Sequence, residues 1–527
     1  MKPGRILPMG RPEHDPLISQ GRLTIVLLVA FLVLSAIYVM MPALNLGFVS
    51  DDFVHLSNDS GMPWYYSSDT LYRPLRNGLF KIMAHSFGLE PLPYRLFALL
   101  AYLLCGFLWY RLLRALDIAA GAAMGAVALA FFTPRIHALL FWFAAVQDVL
   151  YVVCALGVIL CWIRFRQRGR RGALIGSFSL YALALGLKET AIITPALVAL
   201  ADWFIVWPQG MAKTRIRNWV PYAGFLLPLV LFGAFIYWYP PGRLSMPAAE
   251  AARSTYGGAG FVGTASAELR SGLNLLVPFE NPFALRDIDA SLGIEIAVVL
   301  IAVAGLAVFS VKKIWLFAAV WMMVALLPTS MFARTKNIDY YVFFAGFGVA
   351  AAISSSLYDL AKSLPRPVKG ALVATFLCYC VAGDWRLAKH REQWRIAVAS
   401  AERVVTAAKA VLPQAGPRQV DFINVPHSIG DKPILNNGLH GALIAAGYDP
   451  NLTLNVNPEA PVPDGQQNQL IAAVRACSMA EPQNDHRVLL IENFVVTDHT
   501  SGCARSAVAQ DLRLRPWEWF PDPGSQR

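Results

Sequence analysis

The chain alternates between long apolar runs and short connections that carry charge. A run of about 20 mostly apolar residues is long enough to cross the hydrocarbon core of a bilayer as a helix. Residues 23–44 form such a run without a single charge. Ten more candidates follow, at 92–110, 118–133, 138–163, 172–187, 191–207, 219–239, 292–311, 314–331, 340–357 and, shorter, 368–382. The pattern therefore predicts about eleven membrane helices. Residues 394–408 change character: Trp394, Ala397, Val398, Ala401, Val404, Val405 and Ala408 trace one face of an amphipathic helix. Beyond the breaker "PQAGP", the stretches "QVDFINV" and "RVLLIENFVV" read as buried strands, and "NGLHGALIAAG" reads as a short helix ending at Gly447. The fold class expected is thus mainly α, polytopic, followed by a small α/β module.

The connections orient these helices. Lys2, Arg5, Arg11 and Arg22 precede the first run and place residues 1–22 in the cytoplasm by the positive-inside rule. A cleavable signal peptide is the rival reading, but the basic leader and the apolar run are both long and no A-x-A-like site follows. Arg111 with Arg114, the stretch "RFRQRGRR", Lys213 with Arg215 and Arg217, Lys312 with Lys313, and Lys362 with Arg366 and Lys369 fall on the same side. An odd helix count then puts the C-terminal region outside. The expected organisation is a tail at 1–22, a transmembrane domain at 23–384 with structured outer loops at about 45–91 and 240–291, and an extracytoplasmic α/β domain at 385–527.

Composition agrees. Of 527 residues 56% are hydrophobic and only 15% charged, where soluble domains carry nearer a quarter. The net charge of +11 fits cytoplasmic loops and phosphate-bearing lipids; no interleaved basic and aromatic pattern points to nucleic acid. Seven cysteines are present. Five lie in apolar runs, and Cys477 and Cys503, in the polar C-terminal region, would pair if that region lies in an oxidising compartment.

On this topology the charged groups gather at one membrane surface, where each needs a reason. The first outer loop supplies Asp51, Asp52, His55, Asp69, Tyr72, Arg73 and Arg76. Arg135, His137 and Asp148 follow the third run, Lys188 and Glu189 form the turn before the sixth, Arg334, Lys336 and Asp339 precede the tenth, and Tyr340 and Tyr341 open it. Arginine and lysine suit an anionic phosphate. A carboxylate at the membrane edge suits a general base for a hydroxyl. Glycosyl transfer from a lipid-linked phosphate requires both, because negative charge grows on the departing phosphate oxygen.

The stretches "SDD" (Ser50 to Asp52), "YRPLRN", "TPRIHALLFW", "LGLKETAI" and "HREQWRIA" resemble, in kind, order and placement, the GT-C glycosyltransferases. Within that superfamily they are similar to the protein O-mannosyltransferase-like branch. The resemblance covers about residues 20–400. It implies an acidic pair at the first outer loop, Asp51 and Asp52, with Asp51 as base and Asp52 orienting the acceptor or bracing a cation. It implies donor-phosphate contacts at Arg73, Lys188, Arg334, Lys336 and Tyr340, and acceptor or supporting positions at His55, His137, Asp148 and Glu189. Two departures stand out: no helical repeats follow the membrane part, and Ala138 rather than an acid follows His137, with Asp148 available in its place.

The residues also admit plainer roles. Ser-Asp-Asp is good capping chemistry, Arg73 could pair with Asp69, Lys188 and Glu189 could neutralise each other, and Tyr340 fits an aromatic belt. The reading expected is an inverting transferase in a bacterial inner membrane. It would move a monosaccharide from a polyprenyl-phosphate donor to a periplasmic hydroxyl on protein, lipopolysaccharide or cell-wall glycan. Paired carboxylates admit a divalent metal, although no complete ligand set is evident. The alternatives are a lipid or sugar transporter and a non-catalytic envelope assembly protein.

Overall fold

The computed structural model describes residues 30, 33–35, 37–56, 73–133, 136–206, 220–238, 312–328, 343–412, 419–426, 428–429, 432–435, 438–449, 452–458, 486–492, 494–498 and 515–516. The described part is mainly helical. A short helix α1 (Asp51–Leu56) is followed by α2 (Pro74–Phe87), α3 (Pro91–Ala115), α4 (Ala120–Phe131), α5 (His137–Phe141), α6 (Val146–Arg168) and α7 (Arg171–Leu187). Then come α8 (Thr194–Val206), α9 (Val220–Ala223), α10 (Leu226–Trp238), α11 (Lys312–Leu326), α12 (Phe343–Ser363) and α13 (Arg366–Val411). Prolines at the first turns of α2, α3 and α13 set φ where no intrahelical N–H bond is needed. Gly169 closes α6 in the left-handed region at φ 64°.

Four of the described helices are long and apolar enough to cross a membrane: Pro91–Ala115, Phe143–Arg168, Phe343–Ser363 and Arg366–Val411. Shorter apolar helices fill 120–131, 171–187, 221–234 and 313–326, and the expected run at 292–311 lies outside the described residues. Leu96, Leu100, Leu103 and Phe107 are exposed in one stripe of α3, between 41% and 64%. Such a face fits lipid hydrocarbon rather than water.

Two elements depart from the sequence pattern. The run 138–163 is not one helix: it breaks at Trp142 (φ −111°, ψ 113°), passes through a 3-10 turn at Phe143–Ala145 and resumes as α6. The last apolar run and the amphipathic segment after it are one continuous helix of 46 residues, α13, with no break where the composition changes.

Past α13 the chain builds a five-stranded mixed sheet. Strands β1 (Gln419–Val425), β4 (Thr453–Pro458), β5 (His486–Glu492), β6 (Val495–Asp498) and β7 (Arg515–Pro516) lie in the order β6-β5-β1-β4-β7. β1 runs parallel to both neighbours, and the outer strands are antiparallel. "RVLLIENFVV" is therefore two strands, turning at Phe494 (φ 63°), rather than one. The small hairpin β2 (Ser428–Ile429) and β3 (Lys432–Pro433) and helix α14 (Leu439–Ala445) sit between β1 and β4. One apolar core runs from the helices through Trp394 and Ala401 of α13 into Val420, Phe422, Leu439 and Leu489 of the sheet region.

Candidate active site

After the turn at Met41–Ala43 the main chain is irregular to Val49, and Ser50 adopts φ 44° before α1 begins. That left-handed step is uncommon for a residue with a Cβ. It lets the Asp52 N–H donate to Val49 O (2.9 Å) while the Val49 N–H donates back to Asp52 Oδ2 (3.1 Å). The other oxygen, Oδ1, accepts the Ala144 N–H at 2.6 Å, from the 3-10 turn between α5 and α6. Asp52 is fully buried. Burial pushes its carboxyl up to about 7; the Arg95 guanidinium and the two main-chain N–H groups hold it lower than burial alone would.

Arg95, in the first turn of α3 and almost wholly buried, fixes this loop. It donates to Leu46 O (2.9 Å), Gly47 O (2.5 Å) and Phe141 O (2.8 Å). One guanidinium therefore joins the chain just before the acidic pair to the end of α5. Asp51 differs from its neighbour: it is half-buried, and the Ser50 hydroxyl donates to its Oδ1 over a long 3.4 Å. The pair thus divides into a fully buried carboxylate and a half-buried one.

The cations stand behind this pair. Arg73, at the start of α2, grips Glu189 with Nε and Nη2, both at 2.7 Å, and donates Nη1 to Gln147 Oε1 at 3.0 Å. Gln147 in turn donates Nε2 to Ala144 O at 3.1 Å. Hydrogen bonds therefore link Glu189 through Arg73 and Gln147 to the carbonyl of Ala144, the residue whose N–H holds Asp52. Lys188, buried in the extended link after α7, pairs with Asp148 in the first turn of α6. The sequence expectation set these cations toward an anionic donor; each is braced by its own acid. Burial raises the Glu189 carboxyl, but Arg73 and Lys188 outweigh it and take it down to about 2.

His55 is buried with its ring edge-on to Phe80. Burial first, then Arg76 and Arg73, hold its imidazole well below the usual histidine range, so it is neutral near pH 7. His137 joins a different cluster. It stacks on His390 of α13 (centroids 4.1 Å apart) and accepts the Trp394 indole N–H at 3.1 Å. "TPRIHALLFW" and "HREQWRIA" thus meet in space. Arg135, Arg334, Lys336, Tyr340, Cys477 and Cys503 lie outside the described residues. Among the described residues no three acid, histidine or cysteine side chains converge as a metal ion would need, and Asp52 has both oxygens on main-chain N–H groups.

Glu189→Gln should separate bracing from direct contact. It keeps the shape but removes one partner of a bidentate ion pair. Steady-state kinetics with a lipid-linked donor are expected to show KM rising and kcat/KM falling by about tenfold, the size of one lost charge-assisted hydrogen bond. Unchanged kinetics would leave Glu189 as a bystander.

Residues 74–238 match the family model described as "Dolichyl-phosphate-mannose-protein mannosyltransferase". That match covers less than half of the 527-residue chain. Among solved structures, ArnT from Cupriavidus metallidurans bound to undecaprenyl phosphate is similar at 12% identity, covering 93% of this chain and 96% of that one (TM-score 0.46). The archaeal oligosaccharyltransferase AglB from Archaeoglobus fulgidus, in complex with an inhibitory peptide and a dolichol-phosphate, is similar at 13% identity (TM-score 0.41), covering 75% of this chain and 58% of that one. No curated protein matches. The matched segment contains the helix that follows Arg73, the Trp142 break and the Lys188–Glu189 link, and begins at Pro74, so the acidic pair lies outside it. The sequence reading missed Arg95, Gln147 and the Ala144 amide. Arg95 had a signal, as a charge inside an apolar run, and Gln147 had one as the neighbour of Asp148; the amide had none.

Proposed function

We propose that this chain is a membrane glycosyltransferase that moves a monosaccharide from a polyprenyl-phosphate donor to an acceptor hydroxyl, with inversion. The observation that carries the proposal is the anchored acidic pair: two main-chain N–H groups hold the buried Asp52 and so fix the turn on which the half-buried Asp51 stands, one residue along. The family match over residues 74–238 supports the donor class. In this mechanism Asp51 accepts the acceptor hydroxyl proton as its oxygen attacks the anomeric carbon. The bond to phosphate breaks in the same displacement, and its electron pair leaves with the polyprenyl phosphate. Arg73 and Lys188, with Arg334, Lys336 and Tyr340, offset the charge growing on that phosphate. The positive-inside pattern supports a cytoplasmic N-terminus, with the site and the sheet domain on the periplasmic side of a bacterial inner membrane.

The test compares purified full-length protein with Asp51→Asn, offered pooled polyprenyl-phosphate sugars and periplasmic acceptor extract. Free polyprenyl phosphate is scored. Release by the wild type that is lost in the variant is the expected result. No release by the wild type from any donor would overturn the proposal.

A further inference from the structure

The acidic pair is held from a third side, by the C-terminal region. The Ser50 N–H donates to Ile434 O at 2.7 Å, directly after strand β3. Gly438, just before α14, lies against the same residue from the other end of its peptide: a Cβ built there would sit 2.1 Å from Ser50 O and 2.9 Å from its Cα. Real Cβ atoms essentially never approach backbone so closely, and backbone cannot swing aside as a side-chain tip can. The Ser50 carbonyl is also the acceptor of the Phe53 N–H (3.0 Å), the bond that closes the first turn of α1. Anything pushing Ser50 O therefore moves the turn that carries Asp51 and Asp52. α14 packs on α1 behind this contact, with Leu439 and Leu443 fully buried and Phe53 and Leu56 under 9% exposed. The hairpin is itself tied to α13, where Lys432 Nζ lies 2.9 Å from His390 Nδ1.

We propose that Ile434 and Gly438 of the C-terminal region are positioning residues of the active site, setting the Ser50 main chain and through it Asp51. This rests on the reading of Asp51 as base. The α/β region is then part of the site, because two of its main-chain groups hold the loop on which the acid stands. Gly438 has φ −106° and ψ −5°, values any residue adopts, so a side chain there carries no backbone penalty of its own, and the three atoms nearest its Cβ all belong to Ser50. That makes Gly438→Ala a clean probe of the contact.

The experiment uses the full chain in nanodiscs. Gly438→Ala is expected to lower kcat for donor cleavage by about 100-fold, as for a small misplacement of a reacting group, with donor KM little changed. Gly370→Ala, where a Cβ meets nothing within 4 Å, should behave as wild type. In an Asp51→Asn background Gly438→Ala should add no further loss, since both act through one carboxylate. Hydrogen exchange supplies a readout independent of activity. In the wild type the Ser50 amide should be as protected as the β1 and β5 amides, and Gly438→Ala should speed exchange across 46–56 while those strands stay protected. Wild-type kcat in Gly438→Ala, additive losses in the double variant, or an unprotected Ser50 amide in the wild type would each overturn the proposal. If Asp51→Asn instead keeps full activity, the base assignment fails, and the exchange data alone decide whether the contact exists.

Discussion

Asp51→Asn is expected to lower the rate of polyprenyl-phosphate release by about 10²–10⁴-fold, the usual contribution of a positioned general base. Asparagine keeps the volume of the side chain and an oxygen for the Ser50 hydroxyl. What it loses is the ability to take a proton. A purified variant with wild-type melting temperature and no release would place the base at this position. Undiminished release would move it to another residue. Asp52 is a poor replacement, because both of its oxygens already accept main-chain N–H groups and it is wholly buried.

Asp52 nonetheless shapes the pH profile. Its carboxyl ionises at about 7, raised by burial against the opposing pull of Arg95. Below that pH it is neutral; above it a negative charge stands beside Asp51 and makes Asp51 the stronger base. The rate should therefore rise with pH through about 7. A profile flat from about pH 5.5 to 8.5 would show that Asp52 does not titrate there. For stability the sign is opposite. The folded chain keeps a proton that the unfolded chain releases near 3.8, so this group's contribution falls between about pH 4 and 7 and is constant above.

The sequence pattern located the apolar segments well where nothing else competes. Its run at 92–110 lies inside α3, which continues to Ala115 through Arg111 because a helix ends where its hydrogen bonds end, not where apolarity does. The same reason makes α13 continuous: "GDWRLAKHREQ" changes polarity but holds no proline. The break at Trp142 was not legible at all, since "FWFAAV" contains neither glycine nor proline. It exists because Arg95 takes the Phe141 carbonyl and Asp52 takes the Ala144 amide, partners distant in sequence that let these main-chain groups leave a regular helix. The site shows the same limit. Residue types and placement marked Asp51, Asp52, Arg73, Lys188, Asp148 and Glu189, but not that each cation would carry its own acid. That depends on which helix ends meet.

Arg95→Met is expected to damage the fold as well as the reaction. The methionine stem fills much of the arginine's apolar volume, but the buried carbonyls of Leu46 and Phe141 and the partly buried one of Gly47 lose their hydrogen bonds to this group. Asp52 meanwhile loses its nearest cation in a fully buried position. Removing one member of such a buried charged arrangement costs about 3–5 kcal/mol, because the groups left behind cannot return to water. The melting temperature of the purified variant should drop accordingly, and release should fall to background even below that melting point. Arg95→Lys separates the two effects. It restores a positive charge near Asp52 but offers a single ammonium in place of a planar fork, so it cannot reach three carbonyls in two directions. Lysine should therefore hold the pH-dependent limb near its wild-type position while recovering only part of the stability. Full recovery by lysine would mean that charge alone matters, and that the loop bearing Asp51 and Asp52 needs no fork to join it to the break at Trp142. Wild-type melting and turnover in Arg95→Met would remove Arg95 from the account of the site altogether.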